Sequence, residues 1–275
     1  MDLWFTEKQT HGAGLTLKVR ETLLRERTPF QELVILDTEQ YGRMLVLDGM
    51  IQTAVGDEFI YHEMITHVAM FTHPRPRRVV VIGGGDGGVV REVLKHPTVE
   101  KVVLVEIDGR VIEACRTYLP EIAACLDDPR VEIRVEDGIR HVKEHQDAYD
   151  VAIVDSTEPV GAAVGLFSPN FYADIHDCLT DDGILVAQTE SPFYNQDLIK
   201  RSYAAISALF PVTRVYLAAI PTYPSGLWSF TLGSKQEDPL EVEPQPVPEF
   251  RTRYYTTKLH HAAFCLPRFV QELLV

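Results

Sequence analysis

The 275-residue chain has few cysteines and none in a telling arrangement: Cys115, Cys125, Cys178 and Cys265 form no C-x-x-C pair and no zinc spacing. Mostly they sit among apolar neighbours, so buried free thiols in a reducing compartment are expected. Long apolar runs are missing as well. No segment approaches about 18 uninterrupted apolar residues, which argues against a spanning helix. The opening Met1-Asp2-Leu3-Trp4-Phe5 lacks a basic region and a long apolar stretch, so no signal peptide is expected and the location is read as cytoplasmic. Basic residues are scarce, 26 against 40 acids, for a formal net charge of −14. Such a surface repels nucleic acid and anionic membrane and favours cationic partners, although it also serves plain solubility. No internal repeat is visible. With 45% hydrophobic residues, a full core can be buried.

The chain reads as an α/β protein in two parts, residues 1–56 and 57–275. The first part alternates apolar and polar residues at Leu15–Val19, Leu33–Leu36 and Met44–Leu47, and Asp48-Gly49 before Met50–Thr53 is a hairpin signature. A small N-terminal antiparallel β domain follows. Asp57–Phe71 has helical spacing and stops near His73-Pro74. From Arg78 onward, strands at Val79–Ile82, Val102–Glu106, Val131–Val135, Val151–Asp155 and Ile184–Gln188 alternate with helices at Val89–Lys95, Arg110–Tyr118, Ile139–Glu144 and Pro169–Cys178. That order predicts a doubly wound parallel sheet. Arg214–Ala218 and Trp228–Gly233 are too closely linked for a crossover helix and predict an antiparallel pair at the sheet edge. Residues 237–250, rich in proline and glutamate, read as an extended surface segment, and two short helices close the chain.

Chemistry concentrates at the strand ends. Gly83-Gly84-Gly85-Asp86-Gly87-Gly88 follows the first strand of the alternating part and precedes a helix, the context of a nucleotide site. The next strand ends in Glu106-Ile107-Asp108, where an acid commonly bonds ribose hydroxyls. The third leads to Glu136-Asp137-Gly138, with Asp137 equally suited to capping the following helix. The fourth leads to Asp155-Ser156-Thr157-Glu158, and the fifth ends at Gln188. Glu158 on its own reads equally as an exposed loop acid. Asp86 discriminates between ligands. A dinucleotide pyrophosphate at the glycine loop would be repelled by it. S-adenosylmethionine presents both an ammonium, which Asp86 welcomes, and a carboxylate, which it disfavours. The ligand that suits it best is an adenosyl sulfonium whose tail has lost its carboxylate.

Several stretches together resemble the bacterial spermidine synthases, the polyamine aminopropyltransferases, over essentially the whole chain. They are Trp4–Glu7, Phe30–Leu33, Leu47–Gln52, Asp57–Met64, Gly83–Gly88, Asp155–Gly161 and Ile220–Gly226. The resemblance implies a Rossmann-like methyltransferase-type domain and a homodimer or homotetramer. It implies aminopropyl transfer from decarboxylated S-adenosylmethionine, a co-substrate rather than a bound prosthetic group, to putrescine, giving spermidine and 5′-methylthioadenosine. No metal, nucleic acid or membrane partner is expected. By family position, Gln31, Gly83, Gly85, Glu106, Ile107, Asp137, Gly138 and Ala162 would bind the nucleoside part, and Asp86 the aminopropyl ammonium. Gln52, Tyr61, His62, Ser156, Thr157, Glu158, Gln188 and Tyr223 would line the polyamine channel, with Asp155 as the catalytic residue. Away from the family, Tyr61, His62 and Tyr223 read as packing residues, Gln52 and Gln188 as satisfied strand-end polars, and Trp228 as a wall or core residue. Two departures are visible. Ala162 stands where many members carry proline, which leaves the backbone less restricted. Glu158 stands where aspartate is commoner, one methylene longer, which shortens the channel slightly.

An alkyl ammonium titrates near 10 and a carboxylate near 4, so complete prior proton transfer to Asp155 would cost roughly 8 kcal/mol. Burial among other acids should raise Asp155 and narrow that gap. Three other functions share parts of this pattern: an S-adenosylmethionine methyltransferase, an NAD-dependent oxidoreductase, and a polyamine-binding protein without turnover.

Overall fold

A computed structural model describes residues 2–157, 161–244 and 251–275. The chain opens with an antiparallel sheet of five strands in sequential order, β1 (Leu3–Lys8), β2 (Gly14–Arg27), β3 (Glu32–Thr38), β4 (Gly42–Leu47) and β5 (Met50–Ala54). The Asp48-Gly49 turn pairs Leu47 with Met50, and both turn residues have positive φ, 48° and 83°. A two-residue turn of that hand matches the twist of the strands it joins.

Helix α1 (Glu58–Thr72) follows and is buried on nearly every side. A helix enclosed in this way must find a partner for each polar group it carries inward. Glu63 accepts the backbone N–H groups of Arg253, Tyr254 and Tyr255, each at 2.8 Å, which ties the C-terminal segment to the helix.

The remaining elements are β6 (Arg78–Gly83), α2 (Gly88–Val93), β7 (Lys101–Glu106), α3 (Gly109–Tyr118), α4 (Pro120–Ala123), β8 (Val131–Val135), α5 (Gly138–Glu144), β9 (Tyr149–Asp155), a 3₁₀ segment at Gly161–Phe167, α6 (Pro169–Cys178), β10 (Leu179–Gln188), α7 (Gln196–Ser207), β11 (Val212–Ala219), β12 (Leu227–Ser234), α8 (Thr257–Ala262) and α9 (Arg268–Gln271). They build a seven-stranded sheet in the order β11-β12-β10-β9-β6-β7-β8, with β10 through β8 parallel and β12 and β11 antiparallel at one edge. The central strands are apolar throughout because both faces are covered. Val79, Val81 and Ile153 pack on one side, and Val80, Ile82 and Val154 on the other.

The doubly wound sheet, the N-terminal antiparallel sheet and the antiparallel edge pair match the sequence reading. Helix α7 was not foreseen, although its buried Leu198, Ile199, Ser202 and Ile206 follow helical spacing. The first helix after the glycine loop stops at Val93, two residues short of the expected Lys95. Cys115 and Cys178 are buried, whereas Cys265 is exposed, contrary to the expectation of buried thiols in general. No helix among the described residues is long and apolar enough to cross a membrane.

The chain leaves β6 for β7 and β8 on one side, then returns to β9 on the other. Ligands bind at such a switch point, beyond the carboxyl ends of the strands. Gly83, the last residue of β6, stands directly opposite Asp155, the last residue of β9. Five positions further along the loop, a Cβ on Gly88 would lie 2.2 Å from the His62 ring, so only glycine admits that imidazole.

Candidate active site

One cleft opens over the ends of β6, β7, β9 and β10, and the N-terminal sheet closes it from above with Phe30, Gln31, Leu47, Met50, Ile51 and Gln52. Every site residue expected from the sequence lines it, except Glu158, which lies outside the described residues, and Ala162, whose side chain does also.

One half of the cleft is built from acids held by backbone groups. Glu106 at the end of β7 accepts the Asp108 N–H at 2.9 Å. Burial, with Asp108 and Asp155 nearby, pushes its carboxyl up to about 7 despite that bond. Asp137 accepts the Ile139 N–H at 2.9 Å and so caps α5, while its residue also faces the cleft. Asp137 thus caps the helix and lines the cleft at once. Gln31 reaches across from the N-terminal sheet, donating its amide to Asp108 at 3.0 Å, and the Thr28 hydroxyl donates to the same oxygen at 2.7 Å. Ile107, Gly83, Gly85 and Gly138 also line this half.

In the other half, charged and aromatic side chains hold the acids. The Tyr61 hydroxyl donates to Asp155 at 2.6 Å. Burial and the neighbouring Asp86 push the Asp155 carboxyl up to about 6, against the opposing pull of His62 and Tyr61. Asp86 behaves oppositely. Burial would raise it, but His62, the Gly88 N–H at 2.8 Å and Arg91 together hold it below the usual carboxylate range. His62 is only 2% exposed. Its Nδ1 lies 2.5 Å from Glu58 and its Nε2 3.3 Å from Asp86. Burial disfavours its charge, yet the two carboxylates raise it well above the usual imidazole value. His62, Asp86 and Asp155 offer polar atoms within 4.8 Å of one another, compact enough to hold a cation. Both His62 ring nitrogens face carboxylates, so no imidazole lone pair is left for a metal. A substrate ammonium suits this corner better.

Further along, the Gln188 amide donates to the Ser156 carbonyl at 3.0 Å and to Glu190 at 3.2 Å. The Tyr223 hydroxyl donates to the Gln52 carbonyl at 2.7 Å, and the Tyr223 ring packs on Tyr61 and Trp228 at 5.6 and 4.6 Å between centroids. Trp228 is thus a wall of the cleft. Thr157 lies on the same rim. Sequence reasoning missed Glu190, a fully buried acid with φ of 69° that lines the cleft two residues beyond β10. Its only signal is that position just past a strand end.

The family described as "Spermine/spermidine synthase domain" matches residues 58–243, and "Spermidine synthase tetramerisation domain" matches residues 3–54. The polyamine aminopropyltransferase of Caldicellulosiruptor bescii is 58% identical over 274 residues, covering 100% of this chain and 99% of its own. That of Moorella thermoacetica is 58% identical over 272 residues, covering 99% and 96%. Among solved structures, a spermidine synthase in complex with the transition-state analogue AdoDATO superposes with a TM-score of 0.97 at 44% identity, covering 99% of this chain and 94% of that one. The Thermotoga maritima spermidine synthase gives 0.95 at 43% identity, with the same coverage. A Rossmann-like sheet behind an antiparallel N-terminal sheet, a cleft at its switch point and relatives along the full length lead to one assignment: the chain belongs to the spermine/spermidine synthase family, the polyamine aminopropyltransferases, which transfer alkyl groups other than methyl.

Proposed function

We propose that this enzyme is a spermidine synthase, moving the aminopropyl group of decarboxylated S-adenosylmethionine to putrescine. The observation that carries this reading is the pair Asp86 and Asp155, brought with His62 to within 4.8 Å at one corner of the cleft, where His62 faces one carboxyl and holds it low while Tyr61 faces the other, which is raised to about 6. Two nearby carboxylates with separated titration fit an ammonium holder and a base. Asp86 receives the ammonium of the aminopropyl tail, and a tail carboxylate there would be repelled. Glu106, Asp137, Gly138 and Gln31 with Asp108 face the nucleoside. Ser156, Thr157, Gln188, Tyr223 and Gln52 line the path of the acceptor amine.

In the reaction, the amine nitrogen attacks the carbon next to the sulfonium. The C–S bond breaks with its electrons going to sulfur, so neutral 5′-methylthioadenosine leaves, and the nitrogen proton passes to Asp155. With Asp155 at about 6 and an alkyl ammonium near 10, complete transfer beforehand costs about 5 kcal/mol, less than for an unperturbed carboxylate. Holding the reacting atoms in line supplies much of the remaining acceleration. The division near residues 56 and 57 gives the N-terminal sheet a second task besides closing the cleft. Its match to a tetramerisation domain supports a homotetramer over a dimer.

The test is a competition assay with decarboxylated S-adenosylmethionine and equal putrescine, cadaverine and agmatine, with products separated by chromatography. Spermidine and 5′-methylthioadenosine should dominate. Predominance of the aminopropylated cadaverine or agmatine would transfer the reading to that acceptor. In a parallel reaction supplied with S-adenosylmethionine, S-adenosylhomocysteine as product, with no aminopropyl product in the first, would point to methyl transfer instead.

A further inference from the structure

Behind Asp86 a line of charged side chains runs away from the cleft. Arg91 on α2 donates to both oxygens of Glu58 on α1, at 3.0 and 2.8 Å. Glu58 Oε2 meets His62 Nδ1, and His62 Nε2 faces Asp86. On its other side Arg91 donates from Nε to Glu92 at 2.8 Å, and Glu92 is held in turn by His67 at 3.0 Å and by Lys95. The signs alternate along the line. It is not a proton wire, because the guanidinium between Glu58 and Glu92 does not give up its proton. Its effect on the site is electrostatic and geometric.

A ring with a carboxylate at each nitrogen must donate from both. The groups facing the ring or its Asp86 partner are Glu58 and Tyr61 from α1, Asp86 from the loop, Asp155 from β9, Arg91 from α2 and the buried Cys115 thiol of α3, which burial keeps neutral. An isolated buried cation would be expensive, and here carboxylates on both sides offset that cost. We propose that Glu58 and Arg91 are positioning residues: together they fix His62 as an imidazolium against Asp86, and that charge keeps Asp86 ionised for a substrate ammonium while leaving Asp155 free to act as base.

Without the imidazolium, Asp86 and Asp155 would share one corner as two carboxylates, and one would retain a proton at neutral pH. Glu58→Gln keeps the shape and removes the charge that sustains His62. The acid limb of kcat/KM should then move up by about one pH unit, as both carboxylates become harder to ionise. The basic limb should move down, as His62 loses its proton earlier. Arg91→Gln should move the acid limb up as well, because the guanidinium helps to hold both Glu58 and Asp86 ionised, and Arg91→Lys should restore part of that shift. The inference rests on the aminopropyl-transfer reading only for this kinetic part.

The direct test is nitrogen NMR of the full chain labelled with ¹⁵N-histidine, without substrates, with His62 assigned by loss of its signals in His62→Gln. At pH 8 both His62 nitrogens should carry protons in the wild type, and one should be bare in Glu58→Gln. A neutral His62 in the wild type at pH 8 overturns the inference. So does a Glu58→Gln enzyme whose activity falls equally at every pH. Because the spectrum needs no substrate, failure of the positioning pair and failure of the proposed reaction are told apart.

Discussion

Asp86, in the loop after β6, and Asp155, at the end of the neighbouring β9, share one corner of the cleft and titrate in opposite directions. Asp86 faces His62 and a loop N–H, and stays below the usual range. Asp155 faces a neutral phenol and the charge of Asp86, and rises to about 6. The residue type is the same, and the carboxyl that stays low is the more buried one, so the partner rather than the depth decides the outcome. A charged donor secures the ionised form, whereas a neutral donor beside a like charge does not.

The strongest way to break this contrast is to remove the base. Asp155→Asn should lower kcat by about a thousandfold or more, in the range expected for a positioned proton acceptor, while 5′-methylthioadenosine still binds by calorimetry. Unimpaired turnover would take Asp155 out of that role. Next in size, Asp86→Asn should raise KM for decarboxylated S-adenosylmethionine by about tenfold to a hundredfold, the loss of one charge-assisted contact. It should also narrow the affinity gap between that ligand and its carboxylated relative, which direct binding measurements would detect. The smallest effect concerns pH. With Asp155 at about 6, kcat/KM should fall about tenfold per unit below that point, since the protonated acid cannot accept. The Tyr61 hydrogen bond lowers the Asp155 carboxyl, so Tyr61→Phe should move this limb upward by less than about one unit.

Much of this site was legible beforehand because strand ends in an open parallel sheet must converge. Asp86, Glu106, Asp137, Asp155 and Gln188 follow from that rule once the strands are recognised. Gln31, Gln52, Tyr61, His62 and Tyr223 came through family resemblance, since nothing local says that a glutamine between β2 and β3 will reach Asp108. The paired state of His62 was not legible. It depends on Glu58 one helical turn before it and on Asp86 on another element, and only the fold brings the latter near. Glu190 was hidden for a related reason: a buried acid with positive φ carries no periodic signal. Helix α7 differs, because its apolar spacing at Leu198, Ile199 and Ile206 is present in the sequence itself.

The absence of a side chain at Gly88 makes the glycine loop and α1 a single structural unit. A loop grafted into another sheet without its histidine would carry an empty notch, and the histidine placed against any other residue would have no seat. What looks like a portable nucleotide signature is here the socket for one imidazole.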